Sequence, residues 1–165
     1  MKYEFTETRK FLGRTLYRIK AVADFGDVKA GDLGGWVEKE ENLSQSGACW
    51  VYGDACVWGD ACVYGDAQVY GDAQVCGNAC VYGDACVYGR KHILWISQIG
   101  SRNDTVTFMR TKDRKIAVST GCFRGDIDEF EKDVAETHSD NEHAQAYKLA
   151  IELAKLRIDL GGDTL

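Results

Sequence analysis

The chain has 165 residues, of which 45% are hydrophobic and 28% charged, with 26 acidic against 20 basic side chains and a net charge of −6. That composition excludes a disordered chain, and the acidic balance excludes a non-specific nucleic-acid binder, so no direct nucleic-acid contact is expected. No apolar run approaches the ~20 residues of a membrane span. Since the first residues lack a signal-peptide core, we expect a cytoplasmic protein with no membrane contact, in which the 7 Cys do not form a disulfide framework.

Residues 1–46 are predicted as a β-rich N-terminal cap. Thr15–Ala21 alternates apolar and polar side chains and reads as a strand. Phe25–Trp36 is turn-rich, and Trp36 is expected to close the apolar end of the repeat that begins near Gly47. Val37 and Leu43, six positions apart, begin an imperfect first coil whose spacing Ser44-Gln45-Ser46-Gly47 breaks.

Residues 47–90 are a repeat of six residues. Val recurs at 51, 57, 63, 69, 75, 81 and 87, and Gly at 53, 59, 65, 71, 77, 83 and 89. Asp or Asn and then Ala follow the first six of these glycines. In an extended segment such as Ala-Cys-Val-Tyr, Ala and Val share one face while Cys and Tyr share the other. Gly-Asp turns the corner. Such short strands survive only by stacking, and a Gly in every period of six fits no helix. The Asp corners read as turn chemistry.

This pattern resembles the hexapeptide repeat of left-handed parallel β-helix proteins, with an aliphatic residue opening each hexad and a small residue four positions later. The resemblance implies a triangular prism with three hexads per coil, so residues 18 apart form columns. Trp50, Tyr52, Trp58, Tyr64, Tyr70, Tyr82 and Tyr88 then stand on the outside, where residues 47–89 carry no Lys, Arg or His. Large outward apolar patches mark interfaces, so we expect the prism to be covered, by self-association into a homotrimer or by the flanking segments. Each column offers at most two Cys, too few for a tetrahedral metal site, and no metal or cofactor is expected.

Residues 91–165 read as an α+β unit of order βββαα. Strands are predicted over Lys91–Ile99, Asp104–Thr111 and Lys115–Phe123. Asp126 and Glu129 form a capping box for a first helix with Ile127, Phe130 and Val134 on its apolar stripe. Ser139 and Glu142 suggest a second box, for a helix that runs to about Leu160 and stops at Gly161-Gly162. Cys122, placed between a strand and a helix N-terminus, has the outline of a nucleophile or anion site, weighed against a buried strand cysteine. Arg102, Asn103, Arg110, Lys112 and Arg124, with His138, His143 and Tyr147, are the remaining candidates for binding a ligand or partner.

Over most of its length the chain resembles hexapeptide-repeat, polymer-forming-type proteins of phages and prophages. The likeness rests on Gly13–Ile19, Gly31–Trp36, Glu41–Ser44, the repeat, Ile99–Asp104, Cys122-Phe123, and His138 with the final helix. It implies an origin in a mobile element and carries no activity with it. Hexapeptide acyltransferases share the repeat but use a His base, which residues 47–89 lack. We therefore expect a mainly β, non-enzymatic accessory protein of a bacterial host's cytoplasm. It would oligomerise through the β-helix and bind a host protein or a nucleotide-like small molecule. A counter-defence role fits that origin; an acyltransferase with an atypical site is the alternative.

Overall fold

A computed structural model describes residues 1–161; the stop expected at Gly162 lies outside the described residues. The protein is mainly β, with two C-terminal helices, and divides into two compact units, Met1–Arg90 and Lys91–Leu165. No helix among the described residues is long and apolar enough to cross a membrane.

In the first unit, β1 (Tyr3–Phe11) and β2 (Arg14–Ala21) form an antiparallel hairpin, and β2 pairs with β3 (Leu33–Val37). The repeat supplies seven two-residue strands: β4 (Trp50–Val51), β5 (Cys56–Val57), β6 (Cys62–Val63), β7 (Gln68–Val69), β8 (Gln74–Val75), β9 (Cys80–Val81) and β10 (Cys86–Val87). They pair in parallel as β4-β7-β10, β5-β8 and β6-β9, each residue with the one 18 positions on, as in Trp50 with Gln68 and Cys56 with Gln74. The chain therefore returns to the same ladder after three hexads. The seven valines and the six alanines of the hexads are buried throughout. The corner glycines from Gly53 to Gly83 all have positive φ, between 60° and 72°, a backbone that a β-carbon penalises. At Gly71 a β-carbon would also stand 2.6 Å from the Tyr88 carbonyl oxygen.

The first coil is two residues longer than the others. Val37 pairs with Val57 and Leu43 with Val63, both 20 positions on. The extra length lies in the 44–47 turn, which the buried Lys2 ammonium ties down. It donates to the carbonyls of Cys49 (2.9 Å) and Gly47 (3.4 Å) and lies 4.8 Å from the Phe25 ring centroid. Such bonds are what make a buried charge tolerable. The expected role of Trp36 needs correction. It pairs with Cys56, so alternation sends its side chain outward, between the guanidinium groups of Arg9 and Arg18 at 4.3 and 5.6 Å. Val37 and Leu43, both 0% exposed, fill the interior at that end instead.

Two of the seven outward aromatics are covered within the chain, which removes them from an interface with another copy. Trp50 is 1% exposed beneath Tyr3 and Phe25, and Trp58 is 8% exposed against Phe11. The strand β1 that supplies Tyr3 and Phe11 is not among the predicted elements. Tyr52, Tyr70 and Tyr88 stack at 4.3 and 4.7 Å, and Tyr64 and Tyr82 at 5.9 Å; all five are half-buried.

Cys62 and Cys80 are register partners with their Sγ atoms 3.0 Å apart, both half-buried. Exchange with oxidised glutathione should join them, releasing two reduced thiols, and stabilise the stack by about 3 kcal/mol through loop closure. The peptide containing both cysteines should then resist alkylation at two positions, and Cys62→Ser should abolish that protection. Full alkylation of the oxidised wild type would rule the bridge out.

The second unit is a four-stranded antiparallel sheet, β11 (Ile93–Ile99), β12 (Asp104–Arg110), β13 (Ile116–Thr120) and β14 (Phe123–Asp126), joined by α1 (Ile127–His138) and α2 (Glu142–Arg157). The expected βββαα order becomes ββββαα, because Gly121-Cys122 is a hairpin turn that starts a fourth strand. The core joins Val106, Phe108 and Val118 of the sheet to Phe130 and Val134 of α1 and Ala150 and Ile151 of α2. Asp126 and Glu129 make the expected reciprocal cap. The second cap is corrected: Asn141 accepts from the amides of His143 and Ala144, while Ser139 closes α1 at φ 53°. The helix α2 ends at Arg157, before Leu160.

Candidate functional site

One end of the second unit's sheet forms a cleft of about 240 Å³. The β11–β12 turn contributes Arg102 and, at its end, Asp104; the β13–β14 turn contributes Cys122; α1 contributes Asp133, Thr137 and His138; α2 contributes Tyr147. The two turns lie side by side, since a β-carbon on Gly121 would be 3.5 Å from Asp104 Oδ2 and 4.0 Å from Arg102 Nη1.

Tyr147 anchors the site. Its ring meets Phe130 edge-on at 5.2 Å and is 8% exposed. His138 stacks on it at 5.9 Å, with His143 another 5.6 Å from His138. The Tyr147 hydroxyl fills the space where Gly100 would carry a β-carbon. Gly100, at φ 76°, turns the chain out of β11, so the same glycine shapes the turn holding Arg102 and admits the aromatic ring.

The cleft's charges are mixed: one guanidinium, two carboxylates and an imidazole, with hydroxyls between them. A phosphate alone would meet Arg102 but also Asp104 and Asp133. The set suits a ligand that both donates and accepts hydrogen bonds and presents a flat apolar face, and 240 Å³ is below the roughly 300–1,000 Å³ of drug-sized pockets.

Of the predicted residues, the fold brings together Arg102, Cys122, His138 and Tyr147. His143 stands behind His138, and Asn103, at φ 49°, lies within the Arg102 turn. Arg124 donates to the carbonyls of Gly121 (2.9 Å) and Phe123 (2.6 Å) and borders a neighbouring groove with Glu129 and Lys132. Arg110 and Lys112 are at the opposite end of β12, which corrects their grouping with the others. The setting expected for Cys122 is also corrected. The strand β14 separates it from α1, and the Asp126 carboxylate already accepts the Glu129 amide at that helix's N-terminus (2.8 Å). Cys122 is exposed in its turn. Asp133 and Thr137 are not among the residues expected from the sequence, although their spacing of four places them on one helix face. Among the described residues no group of three or more His, Cys, Asp or Glu gathers as a metal site.

Arg110 serves a different arrangement. It is 2% exposed and donates from Nη1 to Nε2 of the buried His92 at 3.2 Å, a bond that requires the neutral imidazole. Burial, and next the Arg110 charge, hold the His92 pKa below its ordinary value, against an upward pull from Asp159. The unfolded chain takes up this proton near pH 6.5, so the stabilisation is present above that pH and is lost as pH falls through the folded value. The urea midpoint of this unit should therefore drop between about pH 7.5 and 5, a window set by that reference value, and His92→Gln should flatten the drop. An equally steep profile in the variant would locate the effect elsewhere.

No known family profile matches the chain. A stretch of 37 residues, 22% of the chain, is 51% identical to the uncharacterized acetyltransferase YdcK of Escherichia coli (strain K12). The match spans only 11% of that protein's length. It suggests a hexapeptide-repeat protein.

Proposed function

We propose that the chain is a non-enzymatic binding protein. Its repeat is a short left-handed parallel β-helix serving as a rigid scaffold, and its C-terminal unit holds a nucleotide-like small molecule by the base. The observation that carries this reading is the convergence of Arg102, Asp104, Asp133 and His138 around the Tyr147 ring in a cleft sized for a nucleobase. A homotrimer assembled through the repeat would rest on Tyr52, Tyr64, Tyr70, Tyr82 and Tyr88, which stay half-buried. In the phage setting implied by the chain-wide resemblance, such a cleft would sequester a host signal in counter-defence, and a host protein is the other partner of that setting.

Thermal unfolding with nucleosides, nucleotides and acetyl-CoA tests the reading. A nucleoside or nucleotide should raise the Tm, by mass action on the folded state, and Asp133→Asn and Tyr147→Ala should remove the shift. No response to any nucleoside or nucleotide would sink it. Stabilisation by acetyl-CoA alone would favour the second reading, an acyl-transfer enzyme, which the YdcK match favours. The absence of a His from residues 47–89 weighs against that reading, because the repeat then has no general base of its own.

A further inference from the structure

The helix α2 is apolar on two opposite sides. One side, Ala144, Tyr147, Ala150, Ile151 and Ala154, is packed into the core of its own unit. The other presents Leu149, Leu153 and Leu156, exposed by 68%, 43% and 85%. At 100° per residue these three leucines fall in a narrow stripe almost opposite Tyr147 and Ile151. Their spacing of four and then three is that of a coiled-coil seam, with Leu149 and Leu156 at d and Leu153 at a.

The charges beside the stripe say what fits it. Lys148 and Lys155 lie toward the core side and pair within the unit, with Asp140 (3.7 Å) and Glu131 (3.3 Å). Glu152 and Arg157 flank the leucines on opposite edges, at g and e of the heptad. Neither has an ion-pair partner among the described residues. They are five positions apart, the separation at which a g residue on one strand of a parallel pair meets the e residue of the other. A two-fold axis along the seam would then form both Glu152–Arg157 pairs between copies, as an isologous contact requires.

We infer that α2 is a self-association surface: two copies of this chain pair through α2 in parallel, with Leu149, Leu153 and Leu156 buried between them and Glu152 opposite Arg157 of the second copy. None of these residues belongs to the ligand cleft. The expected assembly is a dimer, distinct from a trimer built on the repeat.

Sedimentation equilibrium across a concentration series tests it. The wild type should dimerise, and Leu149→Glu with Leu156→Glu should weaken association by roughly a hundredfold or more, since four leucines lose their burial across the two-fold. Circular dichroism should show that the variant stays folded, because both leucines lie outside the unit's core. Glu152→Arg and Arg157→Glu chains should each self-associate about three- to tenfold more weakly than wild type. Mixed together they should recover, because the heterodimer restores both pairs. Each of four results would overturn the proposal: a monomeric wild type at about 100 μM; an association, dimer or trimer, unmoved by the leucine changes; no recovery on mixing; or a monomer whose leucines instead bind phospholipid vesicles.

Discussion

Replacing Trp50 by Ala should cost the first unit about 3–5 kcal/mol, the range for emptying a buried Trp site, read as a lower urea midpoint. Trp50 stands on the outside of the repeat by alternation, yet it is 1% exposed. Tyr3 of β1 meets it edge-on at 6.1 Å and Phe25 does so at 5.3 Å. Gly34 of β3 has room for no side chain, because a β-carbon there would lie 2.7 Å from the indole. The ring is thus the joint between the N-terminal strands and the stack, and its loss leaves a cavity bounded by three segments that cannot all close on it. Tyr64→Ala is the matched control. That ring is also outward but only half-buried, against Tyr82 at 5.9 Å, and its loss should cost only about 1 kcal/mol. Equal losses at the two positions would mean that the N-terminal strands do not seal Trp50.

The contrast between these two rings shows what the sequence could convey. The interior of the repeat is legible because period six assigns Val and Ala to one face with no further information. The outside is legible as apolar, but alternation cannot say which segment covers it. Tyr3 and Phe11, which do so at Trp50 and Trp58, lie in a strand whose polar-rich middle, Glu4 to Lys10, hides it from a hydrophobic pattern. The fourth strand of the second unit, β14, is hidden for a related reason, since Phe123-Arg124-Gly125-Asp126 has no alternation to detect. In that unit, chemical type alone picks out Arg102, Cys122, His138 and Tyr147, which the fold gathers. Nearness in sequence groups Arg110 with them, whereas the extended strand β12, from Asp104 to Arg110, puts roughly 20 Å between its two ends. The leucines of α2 are readable from their spacing, but a helix with two apolar faces shows its core first, and only the packing of Tyr147 and Ile151 reveals which face remains outside.

Gly100→Ala should both destabilise the second unit and close the cleft. Gly100 and Gly13 have nearly the same backbone, at φ 76° and 77°. Forcing a β-carbon into that left-handed conformation costs roughly 1–2 kcal/mol at either site. Around Gly13 nothing lies within 4 Å, so Gly13→Ala should show that cost and no more. Around Gly100 the new carbon would collide with the Tyr147 hydroxyl, and Tyr147 is held from behind by Phe130. The ring must shift or the turn must open, which adds about 1–3 kcal/mol of overpacking and displaces His138, stacked on the same ring. The excess over Gly13→Ala, measured by urea unfolding, isolates the steric part from the backbone part. Tyr147→Phe provides the second arm. It removes the nearest of the colliding atoms and leaves the ring carbons Cζ and Cε2 at 2.7 and 2.9 Å, so it should recover part of the loss in the Gly100→Ala background while gaining nothing in the wild type. Such a coupling, of order 1 kcal/mol between contacting residues, would show that the turn carrying Arg102 and the aromatic floor of the cleft are set by one contact. Additive effects of the two substitutions would show instead that the turn and the floor are positioned independently.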